Sequence, residues 1–483
     1  MNRSVLCILA LCGCISLQAQ VKKISLEEAV ETAKTKSLAS ETVHRDVRAS
    51  VFRYRSAKAS LFPTVSLNGD IPGFTRGINP ITQPDGTVLY VPQSLSQSFV
   101  GATLSQEILP TGGRIYLGTS MGRVQLFNSS SGSFWQATPF YAGLTQPILQ
   151  VNRTRWNWKN NSLAYRRDMQ RGLERIEQIS ADASNAFFDW YIAELQLENA
   201  RTNVRINDTL YLISQGRFNV GKIAETELLQ VELSLLNAQA SEQRALTDKE
   251  ISEQRFRLQV GIDASQEIAL GDIPDIMPIS VDTASAVLAA YRNRSDVLQW
   301  QIDMNNALID KRDASYKRFF SANLNFRYGL NQTDPVFRNA YTNLLSSQTF
   351  SLGFSIPLSS AGVENYNYKA ANENYHSAQK NVELQKRNLA IEVKNAALTM
   401  KQLELNVLIS KKAYDIGIKR YELSKNRYLV GKIDITNLTI AQNEKDQALV
   451  SYAQNLRNYW SAYFQLRRLT LFDFRTGRDI EIQ

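Results

Sequence analysis

The sequence predicts a mostly helical protein with a smaller β portion suited to a membrane barrel, built by duplication within one chain. Two similar phrases, RFNVGKIAETEL from Arg217 and RYLVGKIDITNL from Arg427, lie 210 residues apart. Apolar residues recur every three or four positions through very long segments around each phrase, which is typical of helices. Alternating segments without charged residues precede the long helices and predict strands.

The chain begins with the pattern of an export signal. A short basic start at Arg3 leads into an apolar stretch, and Ala19 precedes a plausible cleavage point, so residues 1–19 are expected to be removed. The stretch from Leu11 to Cys14 also loosely resembles a lipobox, in which Cys14 would be acylated. All three cysteines lie in this region, so disulfides and cysteine metal sites are not expected in the rest of the sequence.

Net charge does not predict a nucleic-acid partner. The formal charge is +9, but Lys and Arg alternate with Asp and Glu along the predicted helices. This pattern is typical of solvated helix faces and lacks the basic blocks with interleaved aromatic residues of single-strand binders. Export from the cytoplasm makes nucleic acid a still poorer candidate.

The duplication defines the domain organisation. A shift of 210 residues lays 143–240 on 353–450 without a gap, while the first half has an additional segment between about 70 and 143. The first repeat, 20–260, is expected to contain a helix over Ser25–Ser60, strands within 62–149, a long helix over 150–216, a tip over 217–222 and a helix over 223–260. A connector follows over 261–282. The second repeat, 283–472, is expected to contain a helix over Thr283–Lys317, strands within 319–358, a long helix over 363–427, a tip over 428–432 and a helix over 433–470, before a tail over 473–483.

The long helices predict helical hairpins. A helix over 363–427 would be about 100 Å long, and its narrow apolar stripe needs neighbouring helices, as in a coiled coil. The apolar pattern resumes after each phrase, so each phrase forms the tip of an antiparallel hairpin. Gly221 and Gly431 are expected to supply the positive φ that a tight turn between helices commonly requires.

The strand zones alternate between apolar and polar residues. Phe320 to Leu330 and Phe350 to Ile356 show the pattern, which suits a transmembrane β-barrel but equally a soluble sandwich. Charged residues are absent over 86–106, 124–152 and 339–363, which favours lipid exposure. A further hairpin is predicted over 98–127 around Thr111–Gly113, although its place in the sheet stays open.

Aromatic residues mark the passage from strand to helix in both repeats. Trp156 and Trp158 correspond to Tyr366 and Tyr368 under the shift of 210 residues. They are candidates for an interfacial belt. Aromatic packing at a strand-to-helix corner is an equally good interpretation.

One chain offers too few strands for a closed barrel. The patterns give about four strands, whereas the smallest membrane barrels need eight, and open sheet edges cannot face lipid. Strands that enter a bilayer would therefore have to be shared among several chains in a ring.

At this point the layout resembles the TolC family of outer-membrane efflux proteins. The resemblance rests on the signal, RSDVL near Ser295, GLTQPIL and GFSIPL at strand ends, and the duplicated RFNVGK and RYLVGK. It implies a homotrimer in the outer membrane of a Gram-negative bacterium, with about four strands per protomer in a shared 12-stranded barrel and a periplasmic α-barrel of helical hairpins. It also implies three partners: outer-membrane lipid, a periplasmic adaptor and an inner-membrane transporter. The cargo would be small molecules or proteins.

The resemblance places adaptor docking at the hairpin tips. The matching positions in this sequence are Arg217, Val220, Gly221, Lys222, Arg427, Val430, Gly431 and Lys432. Both tips would lie at the periplasmic end of the helical barrel.

The pore constriction departs from the family pattern. An acidic residue often lies six positions after the tip glycine of the second repeat, and here that position is Asn437. A ring of neutral Asn would select cations less strongly than a carboxylate ring. Glu227 of the first repeat or Asp434 could compensate, but a solvated carboxylate at a helix start is the simpler interpretation of either.

Two other function classes fit the sequence less well. The two histidines, His44 and His376, lack partners at metal-binding spacing, and no hydrolase or nucleotide-binding motif occurs. No enzyme activity, cofactor or metal is therefore expected. A soluble periplasmic coiled-coil scaffold would explain the helices and the signal, but not charge-free alternating strands in both halves.

Overall fold

The structure is a computed structural model that describes residues 22–127, 132–273, 276, 279–358 and 362–481. The predicted signal over 1–19 and the proposed lipidation of Cys14 lie outside the described residues. The described chain forms two compact units. The helical unit contains the chain up to Asp46, Gln170–Arg294 and the chain from Leu389, and the sheet unit contains Val47–Met169 and Ser295–Asn388.

Eight α-helices lie within the described residues. They are α1 (Leu26–Lys36), α2 (Leu38–Ala59), α3 (Arg153–Asn219), α4 (Glu225–Val260), α5 (Thr283–Asn293), α6 (Ser295–Phe319), α7 (Val363–Leu429) and α8 (Ile435–Thr470). The two longest, α3 and α7, have 67 residues each. No helix in the described ranges has both the length and the hydropathy needed to cross a membrane.

The first helix of each repeat is divided, which corrects the single helices predicted over Ser25–Ser60 and Thr283–Lys317. Ser37 separates α1 from α2 with ψ 147°, and Arg294 separates α5 from α6 with ψ 138°. A single residue with an extended backbone conformation interrupts the i to i−4 hydrogen bonds of a helix and therefore ends it. The Ser37 Oγ then accepts a 3.1 Å hydrogen bond from the Ser40 amide, which supports the start of α2.

Short strands accompany the helices of the helical unit. Strand β1 (Lys22–Ile24) pairs in parallel with β6 (Ile268–Leu270) of the connector. Strands β9 (Phe472–Asp473) and β10 (Arg478–Asp479) form a small antiparallel hairpin in the C-terminal tail.

The sheet unit contains one antiparallel sheet of six strands in the order β2-β3-β4-β5-β7-β8. The strands are β2 (Thr64–Thr82), β3 (Val88–Glu107), β4 (Arg114–Leu126), β5 (Gly132–Ile148), β7 (Ser321–Asp334) and β8 (Leu345–Ser355). A 3₁₀ turn, η1 (Asn339–Tyr341), lies between the last two strands. The sheet has two strands more than the four expected, because β3 and β4 of the additional segment enter it.

Over the part of the sheet nearest the strand-to-helix passages, one face is apolar and the other polar. Directly opposed residues form rows across the strands, and neighbouring rows lie on opposite faces. One row joins Leu104, Leu117, Ala142 and Tyr328, whereas the adjacent row joins Ser105, Tyr116, Gly143 and Arg327. The predicted alternation therefore extends across these four strands.

The core of the helical unit combines aromatic side chains with a buried ion network. Phe187, Trp190 and Phe256 are buried, and the Trp190 and Phe256 rings lie 5.0 Å apart. The Glu177 side chain is 1% exposed and pairs with Arg467, with 3.0 Å between Nε and Oε2. The pair links α3 to α8, and removing either partner would leave the other charge buried and unpaired, which is costly.

Candidate functional site at the hairpin tips

Each hairpin tip closes its helix with a glycine in the left-handed region. Gly221 and Gly431 both have φ 72°, as the sequence predicts. In the first tip the Gly221 amide donates to the Phe218 carbonyl at 2.8 Å, and the Lys222 amide donates to the Arg217 carbonyl at 2.9 Å. The second tip repeats both bonds at equivalent positions. This is a Schellman motif, in which two otherwise unsatisfied carbonyls at the helix end accept hydrogen bonds.

The two tips of one chain pack against each other through an apolar cluster. Its buried members come from both hairpins and are Leu210, Val231, Tyr421, Tyr428, Ile435 and Leu438. Three partly buried side chains, Ile206, Tyr211 and Ile433, pack around them. The tips are therefore positioned by a common core.

Equivalent residues of the two tips have different roles. Tyr428 is 1% exposed, whereas its counterpart Phe218 is 37% exposed. Arg217 lies across the second tip: its guanidinium carbon is 5.7 Å from the centre of the Tyr428 ring, and its Nη2 donates to the Leu429 carbonyl at 3.2 Å. Arg427, the counterpart of Arg217, is exposed.

Most of the predicted docking residues lie on the surface. Val220 and Val430 are 68% and 67% exposed, and Lys222, Lys432 and both tip glycines are also exposed. Added Cβ atoms on the glycines would meet no atom within 4 Å. Arg217 differs from the other predicted docking residues, because it is half-buried and binds the second tip of its own chain.

The candidate constriction residues lie at the starts of α4 and α8. Asp434 is the N-cap of α8, and its Oδ1 accepts hydrogen bonds from the Asn437 amide at 2.9 Å and from Asn437 Nδ2 at 2.7 Å. Residue 224, the counterpart of Asp434, is Ala and makes no side-chain cap. Glu227 occupies the first turn of α4, where a carboxylate interacts favourably with the helix dipole.

Three of the four aromatic residues at the strand-to-helix passages contact basic side chains in the sheet unit, and the fourth stacks on a tyrosine. Trp156 lies beneath Lys159 and Arg312, Trp158 stacks on Tyr54 with 5.8 Å between ring centres, and Arg318 lies 4.2 Å from the Tyr368 ring centre. Tyr366 is 65% exposed. Trp156, Trp158 and Tyr368 are half-buried, and Tyr366 has the exposure that an interfacial residue needs. The interfacial belt and the corner packing both stay predictions.

Helix α7 also carries an apolar stripe that the sequence analysis missed. Within the helical unit its members are Ile391, Leu398, Leu405, Ile409, Ile416 and Leu423, all at least half exposed. They lie seven residues apart except for one step of four. The heptad spacing of large aliphatic residues, which is typical of a coiled-coil contact, was the signal available in the sequence.

Paired hairpins with exposed tips and an antiparallel sheet with two open edges define a class of protein that combines long helical hairpins with a β-sheet. The sequence matches the family described as Outer membrane efflux protein over residues 36–261 and 288–470, and the chain belongs to this family. It is an efflux protein of the outer membrane. This assignment favours the channel hypothesis over a soluble scaffold.

Solved structures share the fold at low sequence identity. The CmeC outer membrane channel of Campylobacter jejuni is 14% identical with a TM-score of 0.66, over 95% of this chain and 87% of that chain. VceC from Vibrio cholerae is 12% identical with a TM-score of 0.66, over 94% and 97%. The open state of the Neisseria gonorrhoeae MtrE channel is 13% identical with a TM-score of 0.60, over 95% and 90%. Among curated protein sequences, none is significantly similar to the chain.

Proposed function

We propose that three copies of this chain form the exit duct of a tripartite efflux system. The hairpin tips dock onto a periplasmic adaptor, and an inner-membrane transporter delivers the cargo. The observation that carries the proposal is the pair of exposed tips, each with a valine, a positive-φ glycine and a lysine in the same order. Such a surface offers a shallow apolar contact with basic flanks to a partner.

The exposed stripe of α7 supports assembly from several copies. Six large aliphatic side chains that face solvent in one chain would be covered by a helix of a neighbouring copy. A long exposed apolar face is also unfavourable in a protein that remains a monomer. The three-fold symmetry of the ring rests on the family resemblance.

Bulky substitutions at the tip glycines test adaptor docking. The Gly221→Leu/Gly431→Leu double variant places side chains on the docking surface and requires positive φ, which costs about 1 to 2 kcal/mol per residue. Export of a pump substrate in a deletion strain is expected to fall at least tenfold, while the trimer in outer membranes persists. Crosslinking to the adaptor is expected to fall in parallel.

Gly86→Leu is the matched control. Gly86 has φ 82° and no atom within 4 Å of an added Cβ, but it lies in the turn between β2 and β3. The control carries the same backbone strain outside the tips and is expected to export normally. Intact export by the double variant would remove the docking role from the tips.

A further inference from the structure

The hairpin of β3 and β4 is continuous with the rest of the sheet. β4 pairs with β3 from Arg114 to Leu126, and on its other side it pairs with β5 over the same range, with one irregularity near Gly118. β2 therefore reaches β5 only through this hairpin. The additional segment of the first repeat thus makes the sheet wider by two strands.

A reciprocal pair of tyrosines and glycines fixes the register of β4 on β5. Tyr116 lies opposite Gly143, and Tyr141 lies opposite Gly118. An added Cβ on either glycine would lie within 2.3 Å of the opposing ring. The two rings meet edge to face at 6.1 Å. β4 and β5 both contain the sequence Tyr-x-Gly. Only this antiparallel register therefore places each tyrosine ring opposite a glycine.

The turn between β3 and β4 is fastened to the start of α3. Asn152 Oδ1 accepts a 2.9 Å hydrogen bond from the Arg155 amide, and its Nδ2 donates to the Leu109 and Pro110 carbonyls at 2.9 and 3.0 Å. Gln146 Nε2 of β5 donates to the Thr111 carbonyl at 3.1 Å. These bonds hold the hairpin at the level where the neighbouring strand passes into its helix.

Strand β8 and the first six residues of β2, Thr64–Gly69, have the properties of a joint between chains, because neither contains the charged or proline residues that usually protect an edge. The rest of β2 does contain such residues, from Asp70 onward. In β8, Phe350, Leu352 and Phe354 are 71%, 51% and 67% exposed. In β2, Val65 and Leu67 are both 75% exposed. Because the meander has an even number of strands, β8 of one copy and β2 of the next can pair antiparallel.

We propose that all six strands belong to the barrel wall, with β8 of each copy paired to β2 of the next, so that three copies close an 18-stranded barrel. The inference rests on the proposed trimer. Barrel diameter grows roughly linearly with strand number, so this barrel would be about 1.5 times as wide as one of 12 strands. A barrel of 16 to 18 strands encloses an open aqueous channel.

Cysteine labelling in intact cells tests the place of the hairpin. On β4, Thr119 lies in the apolar row with Ala102, and Ser120 lies on the polar face. On β7, Phe326 and Asn325 form the matched apolar and polar pair. In single-cysteine variants, a membrane-impermeant maleimide should label S120C and N325C and leave T119C and F326C at least tenfold less labelled.

The labelling outcomes separate this inference from the proposed function. Equal labelling of T119C and S120C beside a normal alternation on β7 would place the hairpin outside the wall and overturn the inference alone. Loss of alternation on β7 as well would contradict a membrane barrel altogether.

A strand count gives the second measurement. Electron cryomicroscopy of the protein in lipid nanodiscs should show three copies and 18 strands in the barrel cross-section. Three copies with 12 strands would overturn the inference and leave the trimer intact, whereas an assembly without three copies would contradict the proposed function.

Discussion

At the scale of single residues, the two tips differ most at Tyr428 and Phe218. These residues are equivalent in the duplication, but only Tyr428 is buried beneath Arg217, with its hydroxyl 3.3 Å from Ser214 Oγ. Near-identical phrases could not predict this difference, because it depends on which helix lies opposite each aromatic ring.

Truncation of the two rings should therefore have unequal effects. Tyr428→Ala leaves a cavity in the tip cluster and is expected to cost about 3 to 5 kcal/mol of stability. Phe218→Ala is the matched variant and is expected to cost much less, since its ring is partly in solvent. Thermal unfolding of the purified proteins measures both, and equal losses would contradict the structural asymmetry.

Asp473 provides a residue-scale test of pH dependence. Burial would raise the pKa of its carboxyl, but the Tyr463 hydroxyl at 2.8 Å, the Arg475 amide at 2.9 Å and the charge of Arg467 together lower the pKa below its usual value. A carboxyl with a lowered pKa stabilises the fold above its unfolded pKa of about 3.9, and this stability is lost as pH falls through the folded pKa.

The comparison of wild type with Asp473→Asn isolates the contribution of the charged Asp473 carboxyl to stability. At pH 7 the variant is expected to be less stable by about 1.5 to 3 kcal/mol, the range for hydrogen bonds to a charged group. The difference should stay constant between pH 6 and 8 and shrink below about pH 4. A difference that grew in acid would show that the carboxyl is not stabilised in its charged form.

At the scale of elements, the hairpins differ in how their second helices begin. Asp434 caps α8, and Ala224 leaves α4 without a side-chain cap. Asp434→Ala is expected to lower stability by about 0.5 to 2 kcal/mol, and the reciprocal Ala224→Asp to raise it by a similar amount. Unfolding midpoints of the two variants test the pair, and a stability loss in both would contradict the capping assignment.

The sequence predicted the helices and strands better than the points at which they break or connect. The helical hairpins were predictable because the long apolar periodicity and the tip glycines reflect local physics. The breaks at Ser37 and Arg294 were not, since one extended residue barely disturbs the periodicity on either side. The hairpin over 98–127 was predictable, but its place in the sheet was not, because Gly, Ser and Thr weaken the alternation of β3 and β4. The paired Tyr-x-Gly sequences were the signal for the register of β4 on β5.

The candidate site at the hairpin tips was also predictable only in part. Tip position and glycine conformation follow from the repeated phrase alone. The contacts of Arg217 with the second tip do not follow from the phrase, because Tyr428 and Leu429 belong to a hairpin that is distant in sequence. The stripe of α7 was visible as a heptad pattern, but a second, buried stripe on the same helix dominated the periodicity.

At the scale of the whole molecule, the central claim is that three copies form one channel in the outer membrane. The exposed stripe of α7 and the open edges of the sheet both support this proposal, because neighbouring chains would cover them. A charge on the stripe, as in Ile416→Glu, should disrupt assembly, because an unpaired charge would be buried in the contact between copies. Lys411→Glu, at an exposed position on the same helix and outside the stripe, is the matched control.

The most direct measurement is the mass of the native assembly extracted from washed outer membranes. Wild type and Lys411→Glu are expected to have the mass of three chains and to resist SDS without heating, whereas Ile416→Glu should fall to single chains. Recovery of the wild-type protein as a soluble periplasmic monomer would contradict the account.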